Sequence, residues 1–600
     1  DNDEMDPVVE AARRECRQYI EWAPDQWSKR EAQSILESEN GTHPLMVPRF
    51  GSRISFGTAG LRAVMGAGTS SINPLVILQT CQGLCRYAQT VFPDFNTKGV
   101  LIGFDGRHHS QEFAELSAAL FIKQGVKVFL MQNMIPTPFV PFGVSVLNAA
   151  VGIMITASHN PKQDNGFKLY WCNGAQIIPP TDAKVATSIM QNLSPWYSSS
   201  DMCLERSKLQ DPTVMLWNDY FKRISQPPYF YHTLNSRETQ LRITYTAMHG
   251  VGLKAAVAAF QSMQLNPFNQ VEEQCHPDPD FPTVEYPNPE EGAGALQLSF
   301  DCAARTKSTL ILANDPDADR LAVAELQPNG QWRIFSGNEI AALFADYIWA
   351  RFTENYPNCD KSKAFMCASC VSSKFLAAMA RVEGFAFRDT LTGFKWIGNT
   401  IIDMEQKGMH FLFGYEVEIG FLAGNMSYDK DGIRMCALFA QLANFHSRNS
   451  ISCSQRLSYL YDKYGHFSTA ASYFFCQSRA TMDLIFKRLR SANQFGPFGS
   501  SEFPISSIRD VTLGTDTSEP DGESVLPMMP NDQMITYRME NKSLITLRNS
   551  GTEPKLKYYI ECSDRSKAQA DKVLKTMTEL VIKELLQPEI NGLKGPSTQK

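Results

Sequence analysis

The chain lacks any apolar run long enough to cross a bilayer: its longest, near residues 144–157, is too short and is interrupted by Asn148. It also lacks a signal-peptide pattern. Residues 1–10 are acidic and hold no apolar stretch, so no secretory leader is expected. Charge of one sign is equally scarce. A formal net charge of −6 over 600 residues argues against a basic face for nucleic acid or a polybasic patch for a membrane. Disulfide rhythm is missing too: the fourteen cysteines are scattered, and Cys367-Ala368-Ser369-Cys370, the one CxxC pair, has no second pair at zinc-site distance. They read as small buried thiols of a reduced, cytosolic protein.

What the chain does have is length and alternating pattern. Six hundred residues exceed what a single core supports, and 43% hydrophobic content allows burial throughout. Residues 7–39 read as charged and helical. From Val100 the pattern becomes α/β: a strand at 100–104, a helix from Ser110 to Gln124, a strand at 126–130 and another at 151–156. A second such block runs from about Leu241 to Glu325, and a third from Gly337 to about Phe445. The last block differs, with close strands at 534–539, 543–547 and 555–562 followed by an amphipathic helix over 566–586. That order predicts three α/β domains with mixed sheets and a C-terminal α+β domain with an antiparallel sheet. The expected boundaries are 1–211, 212–335, 336–455 and 456–600.

Two polar loops follow apolar strands. Thr156-Ala157-Ser158-His159-Asn160-Pro161 leaves Val151-Gly152-Ile153-Met154-Ile155, which puts Ser158 at a strand's C-terminal end, where α/β sheets collect ligands. Asp315-Pro316-Asp317-Ala318-Asp319-Arg320 leaves Thr309-Leu310-Ile311-Leu312-Ala313. Three alternate carboxylates can converge on one hard cation, and a set with few other protein ligands suits Mg²⁺. An EF-hand is excluded because the sixth-position glycine and the closing glutamate are absent. Serine-hydrolase chemistry is disfavoured, since no Gly-x-Ser-x-Gly elbow surrounds Ser158. His159, adjacent in sequence, is poorly placed as a triad base. A serine beside a carboxylate metal loop suits phosphoryl transfer better. Arg548-Asn549-Ser550-Gly551-Thr552 offers an arginine, hydroxyls and free backbone N–H groups, the donors a phosphate dianion needs. Glu416, ending an apolar strand, could accept sugar hydroxyls. Thr392-Gly393-Phe394-Lys395 is a weak signal alone.

With these motifs in order, and with Phe56-Gly57-Thr58-Ala59-Gly60-Leu61-Arg62 ahead of them, the chain resembles the α-D-phosphohexomutase superfamily. Within it the resemblance is to the eukaryotic phosphopentomutase/phosphoglucomutase-two branch, over roughly residues 52–588. It implies four domains around one cleft and a phosphoserine at Ser158. Asp315, Asp317 and Asp319 would hold Mg²⁺ together with that phosphate. Arg62, Lys168 and Arg320 would steady the transferring phosphoryl group. Lys395 would be a phosphate contact and the acid/base candidate, with His159 also in the catalytic group. Glu416 would grip the sugar hydroxyls, with Thr392, Gly393 and Glu418 as further substrate contacts, and Arg548, Ser550, Gly551 and Thr552 would clamp the other phosphate.

The implied reaction interconverts aldose 1-phosphates with their 5- or 6-phosphates (ribose, deoxyribose or glucose). It would pass through a sugar bisphosphate, with glucose 1,6-bisphosphate as activator, in a cytosolic monomer whose partners are small sugar phosphates. One departure stands out: Glu416-Val417-Glu418-Ile419-Gly420 has a carboxylate where the family carries a small residue, which opens the sugar preference. Two alternatives remain. One is a glucose 1,6-bisphosphate synthase using 1,3-bisphosphoglycerate, although Pro161-Lys162-Gln163-Asp164-Asn165-Gly166 looks more like the mutase. The other is a relative that only binds sugar phosphate; against it, the serine and all three aspartates are retained.

Overall fold

The computed structural model describes residues 6–38, 43–57, 59–226, 241–491, 503–550 and 555–595. They form two compact units, one of residues 1–359 with 393–453, the other of residues 360–392 with 454–600.

In the first unit, six strands build the opening sheet: β1 (Leu61–Val64), β2 (Val100–Phe104), β3 (Val128–Leu130), β4 (Val151–Ile155), β5 (Asp164–Trp171) and β6 (Leu209–Gln210). Their order is β1-β5-β4-β2-β3-β6. β2 is parallel to β3 and β4, whereas β5 runs antiparallel to β4 and β1 antiparallel to β5. β2 and β4 are buried along their whole length, as their unbroken apolar sequences require of central strands. The helix Pro74–Val91 shares their hydrophobic core. Asn73 caps it by accepting the Val76 N–H at 3.0 Å, and Pro74 occupies the first helical position.

The second sheet holds β7 (Ile243–Thr246), β8 (Asn269–Gln270), β9 (Leu310–Ala313), β10 (Ala322–Leu326) and β11 (Trp332–Ile334) in the order β11-β10-β9-β7-β8. β7 lies parallel to β9, and β10 returns antiparallel. In a third α/β region, β12 (Ala364–Ser369) and β13 (Ala386–Thr390) pair in parallel within the second unit. β14 (His410–Glu416) and β15 (Gly420–Ala423) form an antiparallel hairpin within the first.

The remaining strands are β16 (His466–Phe475), β17 (Ile505–Asp510), β18 (Thr515–Asp516), β19 (Met534–Met539), β20 (Leu544–Asn549) and β21 (Lys555–Asp564). They make one antiparallel sheet, β16-β21-β20-β19-β17-β18, backed by the helix Lys567–Leu580. Three α/β regions with mixed pairing and one antiparallel α+β region are the architecture the sequence pattern predicted.

Differences are local. The N-terminal helical stretch divides into Pro7–Trp22 and Gln26–Leu36, because Pro24 cannot continue the first helix. The 566–586 helix ends in a π-turn at Val581–Leu586. Leu61 and Arg62, the last two residues of the glycine-rich stretch 56–62, start β1, which lies at the sheet edge. Among the described residues, no helix is long and apolar enough to cross a membrane.

Candidate active site

β4 ends at Ile155, and the chain turns sharply after it. Ser158 sits at φ +53°, a left-handed conformation that costs a side-chain-bearing residue on the order of 1 kcal/mol or more. The turn is held from below. Thr156 Oγ1 accepts the Ser158 N–H at 2.8 Å and donates to Asp105 at 2.6 Å. Arg107, leaving β2, donates to the carbonyl oxygens of Ser158, Asn160, Pro161 and Asp164 at 2.6 to 3.1 Å. The strain is therefore stored in a braced loop, and Ser158 is 2% exposed.

Ser158 Oγ donates to Asp315 Oδ2 at 3.0 Å, across 157 residues of chain. Asp315, Asp317 and Asp319 each offer an oxygen within 4.8 Å of the other two, and all three are buried. Their loop reaches this position because two glycines let backbone pass close by. A Cβ on Gly250 would lie 2.2 Å from Pro316 Cα, and one on Gly432 would lie 2.6 Å from the Ala318 carbonyl. Ala318 takes φ +56°, which curls the loop so that its alternate side chains face one point.

Three buried carboxylates repel each other and have lost their water. Burial, then Asp317 and Asp319, push the Asp315 carboxyl well above the usual range. Burial and Asp319 also push Asp317 up, but Lys168 and the Thr137 hydroxyl outweigh them and hold it below that range. Asp319 is opposed by burial and held down by Lys168, Lys430 and Arg320. The cations are close: Lys168 Nζ is 2.7 Å from Asp317 and 2.8 Å from Asp319, and Lys430 Nζ is 3.1 Å from Asp319. Removing Lys168 would leave buried charge uncompensated, at a cost of roughly 3–5 kcal/mol.

Asp317 Oδ1 and Asp319 Oδ1 remain buried without a hydrogen-bond partner. Two orphaned carboxylate oxygens beside a third carboxylate fit a hard divalent cation, so the donor set matches the metal site expected from the spacing.

The flanking residues form a cationic rim. Arg62, on β1, donates to Asn160 Oδ1 at 3.1 Å. Burial, then Arg320, press its pKa down. His159 Nδ1 comes within 3.3 Å of Ser158 Oγ, closer than sequence adjacency implied, because the left-handed turn folds the ring back. Burial, then Arg320 and Arg62, hold that imidazole well below 6.5 and so neutral. Arg320 donates its backbone N–H to Asp315 at 3.1 Å, and its guanidinium lies 3.5 Å from Glu290.

The sugar-loop residues gather nearby in the same unit. Glu416 accepts the Gly393 N–H at 2.7 Å, and Lys395 opens the helix Phe394–Gln406 beside them. Burial, then Glu418, push the Glu416 carboxyl up. Glu418 also acts electrostatically on Arg320.

Thr392, Arg548 and Ser550 belong to the second unit. There Arg548, near the end of β20, donates to the Tyr559 hydroxyl at 3.2 Å. Gly551 and Thr552 lie outside the described residues. Arg107, Thr137 and Lys430 are residues that motif reading missed. Each acts through a partner more than 50 positions away, so no local spacing marks it.

Residues 53–195, 218–328 and 336–464 match the phosphoglucomutase/phosphomannomutase alpha/beta/alpha domains I, II and III in that order. The phosphopentomutase of Homo sapiens is 45% identical over 583 residues, covering 95% of this chain and 94% of that protein. The human glucose 1,6-bisphosphate synthase is 41% identical over 604 residues, covering 98% and 96%. Among solved structures, the parafusin phosphoglucomutase of Paramecium in its open form superposes with a TM-score of 0.67 at 18% identity, over 91% of this chain and 98% of that one.

Tandem α/β domains with these matches define a member of the α-D-phosphohexomutase superfamily. The chain belongs to its phosphoglucomutase/phosphomannomutase family, and it is a phosphomutase, an enzyme of the isomerase class acting on sugar phosphates.

Proposed function

We propose that this phosphomutase interconverts aldose 1-phosphates with 5- or 6-phosphates, ribose and deoxyribose phosphates first and glucose phosphates second. The observation that carries the reading is the 3.0 Å contact of Ser158 Oγ with Asp315, inside a three-carboxylate cluster. Similarity to a phosphopentomutase at 45% identity supports the pentose preference.

Phospho-Ser158 is the phosphoryl donor. A sugar hydroxyl oxygen bonds to phosphorus as the P–Oγ bond breaks; the hydroxyl proton passes to a base, for which Lys395 is the candidate, and Ser158 Oγ, leaving with the electron pair, takes up a proton. The resulting bisphosphate turns around and returns its other phosphoryl group to Ser158 Oγ. Asp315, Asp317 and Asp319 would hold Mg²⁺, which when bound supplies positive charge against the phosphoryl oxygens. Arg62, Lys168 and Arg320 neutralise the transferring group, and His159 supports the serine turn. Glu416 and Glu418 orient the sugar hydroxyls. Thr392 is assigned to a substrate contact, and the 548–552 motif to phosphate contacts, on sequence alone.

The same reading keeps the four-part division at 1–211, 212–335, 336–455 and 456–600, a monomer, and glucose 1,6-bisphosphate as activator. A cytosolic setting fits the fourteen free cysteines.

Relative kcat/KM for ribose 1-phosphate, deoxyribose 1-phosphate and glucose 1-phosphate tests the substrate order, alongside intact mass after exposure to glucose 1,6-bisphosphate. One added phosphate on the wild type and none on Ser158→Ala is expected. Bisphosphate formation driven by 1,3-bisphosphoglycerate at a higher rate than any mutase turnover would replace this reading with the synthase.

A further inference from the structure

The proline-rich segment 277–291 lies against the serine and aspartate loops. Its contacts are specific. Asp280 meets His108 Nε2 at 3.1 Å and Lys162 Nζ at 3.8 Å, so it is tied to the loop after β2 and to the loop that carries Ser158. Phe281 stands under the Arg107 guanidinium at 5.1 Å, and Arg107 is the group that holds the serine turn. Further along, Asn288 accepts the Glu290 N–H at 3.1 Å, and Glu290 Oε2 reaches Arg320 Nη1 at 3.5 Å.

That ion pair joins unlike environments. The Arg320 side chain is 15% exposed, its Nε is buried without a hydrogen-bond partner, and it sits among Arg62 and the aspartates. Glu290 is 39% exposed and approaches from the solvent side. At 3.5 Å the contact is a loose charge pair, longer than the 2.7–2.9 Å of a charge-assisted hydrogen bond. A partly exposed pair of this kind contributes little to stability. A phosphate dianion offers Arg320 more charge and more acceptor oxygens, so it competes well for the same guanidinium.

We propose that Glu290 is a positioning residue, an internal counter-ion that holds Arg320 ready in the empty site and gives it up to the phosphoryl group of the arriving sugar phosphate. The exchange lowers net affinity for phosphate, because each binding event must displace a carboxylate. It correspondingly eases release of product. The idea rests on the reading of Arg320 as a phosphate contact.

Inorganic phosphate, titrated calorimetrically into the full chain, separates the two ideas without using turnover. Wild type, Glu290→Gln, Arg320→Met and the double variant are compared, with thermal melts to verify folding. Glu290→Gln is expected to tighten phosphate binding about three- to tenfold, and the effect should vanish in the Arg320→Met background. In steady-state assays Glu290→Gln should lower KM for the sugar phosphate while kcat stays level or falls, and Glu290→Asp, too short to span the gap, should behave like Gln. A purely structural role would leave phosphate affinity unchanged or weaken it, and either result in a folded variant overturns the proposal. Unchanged phosphate binding in Arg320→Met would instead overturn the role assigned to Arg320.

Discussion

A lysine at position 107 would offer one ammonium where the guanidinium now meets four carbonyl oxygens, those of Ser158, Asn160, Pro161 and Asp164. The planar fork of arginine satisfies them together; a point charge cannot. Arg107→Lys is therefore expected to slow phosphate loading of Ser158 by ten- to a hundredfold, read as the rate of mass gain, while metal binding to the aspartates persists. Loading at the wild-type rate would show that the turn is held without it. Ser158 and the three aspartates were readable from sequence because each sits in a polar loop directly after an apolar strand. Arg107 was not, since its donors serve a loop 51 to 57 positions away, and carbonyl acceptors have no residue-type signature.

Strands and loops show the same division. β4, β9 and β14 announce themselves as apolar runs, and their ends deliver Ser158, Asp315 and Glu416. β5 does not, because its first residues, Asp164-Asn165-Gly166, read as loop; pairing with β1 and β4 makes them strand. The aspartate loop likewise depends on a neighbour remote in sequence. A Cβ on Gly432 would fall 2.4 Å from the Arg320 carbonyl and 2.6 Å from that of Ala318, and backbone atoms cannot swing aside. Gly432→Ala should cost about 1–3 kcal/mol in chemical denaturation. Its metal affinity should fall as well, because the displaced segment carries Asp319. A variant with unaltered denaturation and metal titration would mean that the helix Gly432–Arg448 relaxes away.

At the scale of the molecule, each unit carries its own charge network. In the second unit Asp516 is 0% exposed, and Arg538 donates to its two oxygens at 2.7 and 2.9 Å. Burial pushes that carboxyl up, but Arg538 and Ser518 outweigh it and hold it at about 2. An unfolded aspartate titrates near about 3.9, so the folded pKa is the depressed one. The stabilisation, about 2 kcal/mol, is complete above pH ~4 and drains away as pH falls toward 2. Denaturation of wild type and Asp516→Asn should differ by about that amount at pH 7 and converge near pH 2; a constant difference would contradict the linkage.

The order of apolar strands and polar loops determined the number of α/β regions, the antiparallel last sheet and the chemical character of the serine and aspartate loops, because periodicity and turn chemistry act over a few residues. The meeting of Ser158 with Asp315, the compensation of the carboxylates by Lys168 and Lys430, and the hold of Glu290 on Arg320 came only with packing. Burial turns charges distant along the chain into neighbours, and in that dry setting their pairing decides which carboxylates stay ionised and which cation is left to meet a phosphate.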